Sequence, residues 1–342
     1  MDLKYSRGRV YNGPPVVQRA AALQDALRND KAHAISDNLK GMKRLSKVLI
    51  VFKKSTFQLQ AVEHREPRFL KLLEEGNAGV AKVKLAHDEH YETLEALEKE
   101  LKKRNIEYVS MARAELQDAV DQFDMVISVG GDGTFLDASH AIYDVPLLGV
   151  NSTRSTSFGH FCLANFSNIA EVLDGIQSGE LKTFPLLRLE VVLNGSPIPE
   201  LILNEVLVCH SNPAGTSRYF IELDNFREEH RSSGVWIGTP SGSTGSLKSA
   251  GGVIMPIIAQ TYQYKVREPW TRPGQVFELV HGIVDRNKGM YMTSNMRTGA
   301  LYIDGQHIDY SFSLGDSIVI RASRNDLNAY VNPNVNDCFL QE

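Results

Sequence analysis

The sequence predicts an α/β N-terminal domain with a parallel, Rossmann-like sheet and a mainly β, sandwich-like C-terminal domain. Apolar runs alternate with helical patterns up to about residue 180, which is typical of a parallel sheet covered by helices. After about residue 183 the helical signal fades, and short alternating strands with turn pairs replace it. At 342 residues the chain exceeds what one hydrophobic core usually supports, so two domains are expected.

The first half contains the elements of the parallel sheet. Residues 91–101 place Leu94, Leu97 and Leu101 on one helical face, and a second helix is predicted at residues 134–143. Strands are predicted at residues 48–52, 106–109, 125–129 and 145–150. Ligands of such sheets bind at the carboxyl ends of the strands, so we expect the site there.

The second half contains predicted strands and hairpins. Asn194-Gly195 and Asp304-Gly305 are turn pairs that favour β-hairpins. The strands are predicted at residues 187–193, 201–208, 218–224, 300–308 and 317–322. The predicted organisation is an N-terminal extension at residues 1–45, an α/β domain at 46–180, a β-rich domain at 181–325 and a C-terminal tail at 326–342, for which packing back on the α/β domain is a hypothesis.

Composition narrows the class of protein. The chain is 42% hydrophobic and 23% charged, as in soluble globular proteins, and its net charge of −4 argues against a general nucleic-acid binder. The three cysteines have neither metal-ligand spacing nor a disulfide pattern, which favours a reducing compartment. No apolar stretch approaches the ~20 residues that span a membrane. We therefore expect a cytoplasmic protein without nucleic-acid or membrane partners.

A glycine-rich motif, Gly130-Gly131-Asp132-Gly133-Thr134, follows directly on a predicted strand and leads into a predicted helix. Glycines allow backbone N–H groups to approach a phosphate closely and permit φ values that other residues avoid. A carboxylate in an anion-binding loop suits a group that takes a proton from a substrate hydroxyl or faces a metal ion, as in phosphoryl transfer. The alternative is an ordinary tight turn, in which Asp bonds its own backbone.

Two further motifs lie in the β-rich half. Asn204-Glu205 interrupts an apolar strand, so both side chains need polar partners, either the ribose hydroxyls of a ligand or an internal network. The loop at residues 238–246 is dense in small hydroxyl residues and suits either a nucleotide or a flexible connection. Arg154 and Arg267 could face phosphates, with a solvated arginine as the alternative at both positions.

Taken in this order, the three motifs resemble the signatures of the NAD kinase family over roughly residues 46–325. The glycine-rich motif matches the first signature, Asn204-Glu205 the second, and residues 239–244 the start of the third. Residues 231–234, 249–252 and 266–269 also resemble the plant NADH kinase subgroup.

The resemblance implies transfer of the γ-phosphoryl group of ATP to the 2′-hydroxyl of the adenosine ribose in NAD or NADH. It implies that Asp132 is the catalytic base, that Mg²⁺ is held mainly by the triphosphate rather than by protein ligands, and that the chain forms a homodimer or homotetramer. The residues that it assigns to nucleotide or dinucleotide binding are Gly131, Gly133, Thr134, Asn204, Glu205, Arg231, Ser233, Thr244, Gly245, Ser246 and Ser249.

The chain departs from the family pattern at four residues. Gly245-Ser246 stands where many members have Ala-Tyr, Leu163 where many have a stacking phenylalanine, and Ser233 where many have an aspartate. Phe158 or Phe161 could take the place of the missing phenyl ring. These changes leave the choice between NAD and NADH open. The alternatives to the kinase are a non-catalytic NAD(H) sensor and a lipid kinase of the same superfamily.

Overall fold

Nineteen strands and five α-helices are present in the computed structural model, which describes residues 45–116, 120, 122–153, 155 and 157–340. The strands are β1 (Lys47–Phe52), β2 (Glu107–Ala112), β3 (Met125–Gly130), β4 (Leu147–Asn151), β5 (Cys162–Asn165), β6 (Phe184–Leu186), β7 (Leu189–Leu193), β8 (Ser196–Pro197), β9 (Glu205–His210), β10 (Ser217–Leu223), β11 (Phe226–Ser232), β12 (Val235–Gly238), β13 (Thr261–Val266), β14 (His281–Asp285), β15 (Gly289–Ser294), β16 (Gly299–Ile303), β17 (Ile308–Ser311), β18 (Ser317–Ala322) and β19 (Leu327–Tyr330).

The helices are fewer, and most lie in the first half. The α-helices are α1 (Pro67–Glu74), α2 (Ala78–Lys103), α3 (Asp132–Ser139), α4 (Ile169–Ser178) and α5 (Ser246–Ser249). A π-helical segment (Gln58–Glu63) and three 3₁₀ segments (Arg113–Glu115, Ser241–Thr244 and Val335–Leu340) complete the set. None of the helices in the described part of the chain is both long enough and apolar enough to cross a membrane. The predicted N-terminal extension lies almost entirely outside the described residues.

A seven-stranded, mostly parallel sheet forms the first layered unit, in the order β2–β1–β3–β4–β19–β6, with β5 also paired to β4. Strands β1, β3 and β4 are apolar on both faces because helices cover both. Leu94, Leu97 and Leu101 of α2 pack with α4 on one face, and Phe135 and Leu136 of α3 pack on the other. The carboxyl ends of the strands therefore lie beside the start of α3.

Two antiparallel six-stranded sheets form a β-sandwich. Their orders are β11–β10–β15–β18–β7–β8 and β14–β13–β12–β9–β16–β17. Residues from both sheets form one core, which includes Tyr219, Val235, Tyr262, Met292 and Ile320. The predicted fold class, a parallel α/β unit followed by a mainly β unit, is confirmed. The chain then returns to the first sheet, where β19 pairs in parallel with β4 and antiparallel with β6.

Two element predictions are corrected by the structure. Residues 201–208 were expected to form one strand, but the chain bends at residues 203–204 and β9 begins only at Glu205. The helix predicted at residues 134–143 begins two residues earlier, at Asp132, and ends at Ser139. The bend at residues 203–204 is explained by hydrogen bonds that the backbone N–H groups of residues 203–205 donate to Asp304.

Candidate active site

Asp132 lies where β3 gives way to α3. It is the first residue of the helix, so its carboxylate is close to the helix N-terminus, where backbone N–H groups favour negative charge. One carboxylate oxygen, Oδ1, accepts a hydrogen bond from the backbone N–H of Phe161 at 2.9 Å. Within the described residues, no hydrogen bond to Oδ2 is present. The carboxylate is half-buried, and among the described residues none donates to its second oxygen, which is therefore open to a substrate hydroxyl.

Glycine is required at Gly130 and Gly131 because a Cβ atom would overlap neighbouring side chains, and not because the backbone angles are unusual. A Cβ at Gly130 would overlap the side chain of Thr134, and one at Gly131 would lie 2.6 Å from Ser157 Oγ. A Cβ at Gly133 would meet no atom of the described residues within 4 Å. None of the three glycines has a positive φ, so the expectation that they supply φ values closed to other residues is wrong. Gly133 instead leaves open space beside Asp132.

Asn204 and Glu205 lie in the β-rich unit, at the bend before β9 and at the first residue of that strand. The Asn204 Oδ1 and Glu205 Oε2 atoms are buried and have no hydrogen-bond partner among the described residues. Glu205 is 9% exposed, and burial, followed by the nearby charge of Asp304, raises its pKa to about 8. Buried polar atoms without partners are costly, so the two residues suit a ligand that supplies hydroxyl groups.

Asp304 is a residue of this site that sequence reasoning missed. The Asp304-Gly305 pair does form the predicted turn, between β16 and β17. Its carboxylate also accepts three backbone N–H groups, from Leu203 at 2.9 Å, Asn204 at 2.8 Å and Glu205 at 3.0 Å. These bonds form the bend that breaks the expected strand. A turn pair in the sequence carries no signal for such a distant partner.

His140 and Arg188 connect the two units and were also missed. His140 lies 3.5 Å from Asp304 through Nε2, and its Nδ1 lies 3.1 Å from the Leu201 carbonyl oxygen. Arg188 is fully buried and donates to three carbonyl groups. The acceptors are Ser139 at 3.1 Å, Ile142 at 2.8 Å and Asn325 at 2.8 Å. The end of α3 is thereby fastened to the β-rich unit.

In the loop at residues 239–246, some of the side-chain hydroxyl groups form hydrogen bonds with backbone groups of the protein. Thr239 Oγ1 accepts the backbone N–H of Ser241 at 3.0 Å, and Ser243 Oγ accepts that of Met255 at 3.0 Å. A Cβ at Gly242 would lie 2.6 Å from Glu205 Oε2, so this glycine lets the loop approach the second motif. The loop is therefore packed against Glu205, and it is not a flexible connection.

A cavity of about 470 Å³ opens beside Glu205. It brings together four of the predicted residues, Glu205, Ser233, Ser246 and Arg267. Its other lining residues are Leu207, Cys209, His210, Ser211, Asn212, Pro213, Gly215, Ser217, Trp236, Tyr302, Gly305 and Gln306. Its size is within the range of cofactor pockets, and its polar groups converge with an aromatic side chain, as such pockets require.

Comparisons with known proteins decide the family. Residues 48–181 match the model of the ATP-NAD kinase N-terminal domain. A probable NADH kinase of Oryza sativa subsp. japonica is 36% identical over 253 residues, which cover 68% of this chain and 78% of the relative. The chain belongs to the NAD kinase family. An NADH kinase of Arabidopsis thaliana is 33% identical over 269 residues, covering 71% of this chain and 83% of the relative.

Solved structures of NAD kinase family members share the fold. An NAD kinase from Archaeoglobus fulgidus, in complex with ATP, superposes with a TM-score of 0.60 at 20% identity, covering 86% of this chain and 97% of the other. Yeast NADH kinase complexed with NADH gives a TM-score of 0.61 at 19% identity, covering 88% and 87%. At these identities the likeness establishes the architecture alone.

Several residues that the NAD kinase resemblance assigned to binding lie outside the 470 Å³ cavity. Arg231 lines a neighbouring cavity of about 320 Å³ with Trp270, and Ser233 lies between the two cavities. Ser249 is exposed at the end of α5, and Thr134 is buried against Gly130. Others lie on the loop beside Glu205, namely Thr244, half-buried at the end of its 3₁₀ segment, and Gly245, exposed at the start of α5. Arg154 lies outside the described residues.

The structure limits which aromatic ring could replace the phenylalanine of other NAD kinases. Phe161 is 3% exposed and stacks on Phe135 inside the core, with 5.0 Å between ring centroids. Phe158 is 71% exposed and lies edge-on to Phe339 at 6.1 Å. Phe158 is therefore the one of the two candidates whose ring is accessible to a ligand.

Proposed function

We propose that this protein transfers the γ-phosphoryl group of ATP to the 2′-hydroxyl of the adenosine ribose of NADH or NAD, producing NADP(H). The observation that carries the proposal is the placement of Asp132. Its carboxylate is oriented through Oδ1 by the Phe161 N–H, and the other oxygen, to which no described residue donates, would take the substrate proton. Open space at Gly133 lies next to it. Membership of the NAD kinase family supports the same reaction.

In this mechanism the oxygen of the 2′-hydroxyl attacks the γ-phosphorus, and Asp132 accepts the proton of that hydroxyl. The bond from the γ-phosphorus to the bridging oxygen breaks, and that oxygen leaves with ADP. The N-terminus of α3 stabilises the negative charge on the phosphoryl group in the transition state. Asn204 and Glu205 bind hydroxyl groups of the dinucleotide through Asn204 Oδ1 and Glu205 Oε2, the two oxygen atoms that no described residue satisfies.

Mg²⁺ belongs to the proposal as a partner of the triphosphate, whose oxygens are hard ligands that suit it, and it would offset their charge. The described residues contain no group of three or more His, Cys, Asp or Glu side chains placed to hold a metal ion. ATP as the donor is supported by the related structure determined with ATP. A homodimer or homotetramer and a cytoplasmic location are further parts of the proposal, drawn from the family resemblance and the composition.

We further propose that NADH is the preferred dinucleotide. At neutral pH, burial keeps Glu205 largely protonated, because its pKa is about 8, so Arg267 is the principal charged side chain of the 470 Å³ cavity. Its guanidinium lies 5.8 Å from the ring centroid of Trp236. In this proposal the nicotinamide ring occupies the 470 Å³ cavity. The oxidised ring is a cation and the reduced ring is neutral. A cavity that contains a guanidinium but no ionised carboxylate therefore disfavours NAD relative to NADH. Relatives from rice, Arabidopsis and yeast are named NADH kinases.

The test is a coupled assay of NADP(H) formation from ATP and Mg²⁺, with NADH and NAD measured side by side and the Asp132→Asn variant as control. Turnover that requires Asp132 is the expected result. Tight NADH binding without turnover would point to a sensor, and phosphorylation of a lipid in place of a dinucleotide would point to a lipid kinase. Either outcome would contradict the proposed reaction.

The preference is tested by Ser233→Asp, which places a carboxylate in the cavity. A unit charge at about 6 Å and an effective dielectric constant near 20 changes the interaction by a few kcal/mol. We expect kcat/KM for NAD to rise about tenfold or more relative to that for NADH, with Ser233→Asn, neutral and of similar size, as the control. A wild-type protein that favours NAD, or equal shifts in both variants, would contradict the electrostatic origin of the preference.

A further inference from the structure

The Asp304 side chain is almost completely buried, at 1% exposure, although aspartate is rarely buried without a role. Its two oxygens gather the backbone N–H groups of three consecutive residues, Leu203, Asn204 and Glu205. Three donors on one carboxylate determine both the position and the direction of that short segment. The segment carries the second motif of the site.

The backbone of Asp304 is also hydrogen-bonded to the segment that contains Asn204 and Glu205. Its N–H donates to the Glu205 carbonyl oxygen at 3.0 Å, and its φ is +46°, in the left-handed region. Among residues with a side chain, aspartate and asparagine adopt this region most readily. The position thus requires a residue that tolerates the turn and also presents a hydrogen-bond acceptor to the bend. Aspartate meets both needs with two acceptor oxygens.

The bend determines where the unpartnered atoms Asn204 Oδ1 and Glu205 Oε2 lie. On the opposite side, the Asn204 carbonyl oxygen accepts the N–H of Thr239 at 2.9 Å, so the bend is held between Asp304 and the third motif. A bend without the carboxylate would leave three buried N–H groups without acceptors. It would then rearrange or admit water, and both orphan oxygens would move.

The same carboxylate reaches the helix that carries Asp132. His140 caps the C-terminus of α3, and Asp132 is the first residue of that helix. His140 Nε2 lies 3.5 Å from Asp304 Oδ2, while its Nδ1 faces the Leu201 carbonyl oxygen, which requires a proton on Nδ1. One rigid helix therefore separates the contact at Asp304 from the proposed base.

We propose that Asp304 is a positioning residue for the dinucleotide. It holds Asn204 and Glu205 in the geometry that binds the ribose hydroxyls, and through His140 it sets that geometry against the helix that begins at Asp132. This inference rests on the proposed function for the identity of the ligand. Asp304 acts through these neighbours, so its removal should affect dinucleotide binding more than ATP binding.

The first test is Asp304→Asn, which keeps the size of the side chain and replaces one acceptor oxygen by an NH₂ donor. That donor must face either a backbone N–H or His140. We expect the Kd for NADH, measured by titration calorimetry, to rise about tenfold or more, and the KM for ATP to stay within about twofold. The control is Asp309→Asn, an exposed aspartate on β17, which should leave both values unchanged.

A second variant separates positioning from a general loss of stability. In the Asn204→Ala background, Asp304→Asn should cost clearly less NADH affinity than in the wild type, because part of what it positions is already gone. Equal costs in the two backgrounds, or a lower Tm and kcat with an unchanged Kd for NADH, would overturn the inference. NADH binding without phosphoryl transfer would refute the proposed function and still test Asp304 by affinity. No NADH binding by the wild type would refute both.

Discussion

Asp132 and Glu205 are two acids of the predicted site, and their surroundings differ. Asp132 is half-buried at a helix N-terminus, and the Phe161 N–H donates to one of its carboxylate oxygens. Glu205 is buried beside another acid, and burial raises its pKa to about 8. Asp132 therefore offers an oxygen to a substrate hydroxyl, whereas Glu205 is largely a neutral hydrogen-bonding group at neutral pH. Environment assigns these roles to chemically similar side chains.

The origins of the two environments differ as well. The surroundings of Asp132 come from its own helix and from a residue 29 positions away. Those of Glu205 come from Asp304, which is 99 positions away in the sequence. A motif whose interactions come from residues near it in the sequence can be recognised from the sequence. A motif whose conformation depends on a distant hairpin cannot. The following variants test this contrast.

The largest difference is expected between Asp132→Asn and Glu205→Gln in turnover. Asp132→Asn removes the proton acceptor and should lower kcat about 10³-fold, with NADH binding within a few-fold of the wild type. Glu205→Gln replaces a largely protonated acid by a neutral side chain of the same shape and should keep kcat within about tenfold at pH 7. Steady-state kinetics measures both. Equal losses would show that the two acids do not divide the roles in this way.

The connection between the two units is tested by Arg188→Met. The change removes the donors of three buried carbonyl groups and should lower the free energy of unfolding by about 3–5 kcal/mol. Thermal unfolding should then show a Tm about 10 °C lower. The control is Arg321→Met, whose side chain is 54% exposed and paired with Glu190, and which should cost about 1 kcal/mol or less. Similar losses for the two variants would contradict a special role of Arg188.

The burial of Glu205 predicts a pH-dependent effect on stability. A folded-state pKa of about 8, above the ordinary value of 4.5, means that protonation of Glu205 stabilises the fold. This contribution is complete below pH 4.5 and is lost as the pH rises through 8. Glu205→Gln should therefore become more stable than the wild type between these limits, by at most about 1.4 kcal/mol per pH unit.

Urea unfolding at pH 5, 6, 7 and 8 measures this difference, with Glu222→Gln, an exposed site on β10, as the matched control. A constant difference across the series would show that Glu205 titrates like an exposed acid. The comparison with Asp132 would then lose its electrostatic basis.

The smallest expected effect contrasts two glycines of the first motif. A Cβ at Gly133 meets no atom of the described residues, so Gly133→Ala should keep or slightly raise the Tm while lowering kcat/KM about tenfold through contact with a ligand. A Cβ at Gly131 lies 2.6 Å from Ser157 Oγ, so Gly131→Ala should lower stability by about 1–3 kcal/mol. Full activity of Gly133→Ala would show that no ligand approaches this position.

The sequence by itself determined the fold class and the first part of the site. Runs that are apolar on both faces appear directly as the buried strands β1, β3 and β4, and the periodicity of Leu94, Leu97 and Leu101 marks the buried face of α2. The glycine-rich motif is contiguous, so its order along the chain already places Asp132 between a strand and a helix.

Only the tertiary structure decided which residues meet around Glu205. The bend at residues 203–204 replaces a predicted strand because Asp304, a residue of a turn pair, accepts its N–H groups. Arg231 lies in a neighbouring cavity although Ser233, two positions away, lines both. Hydrophobic periodicity records whether a side chain is buried. The periodicity does not show which distant residue forms hydrogen bonds with a buried polar group, because that pairing depends on how the separate sheets pack together.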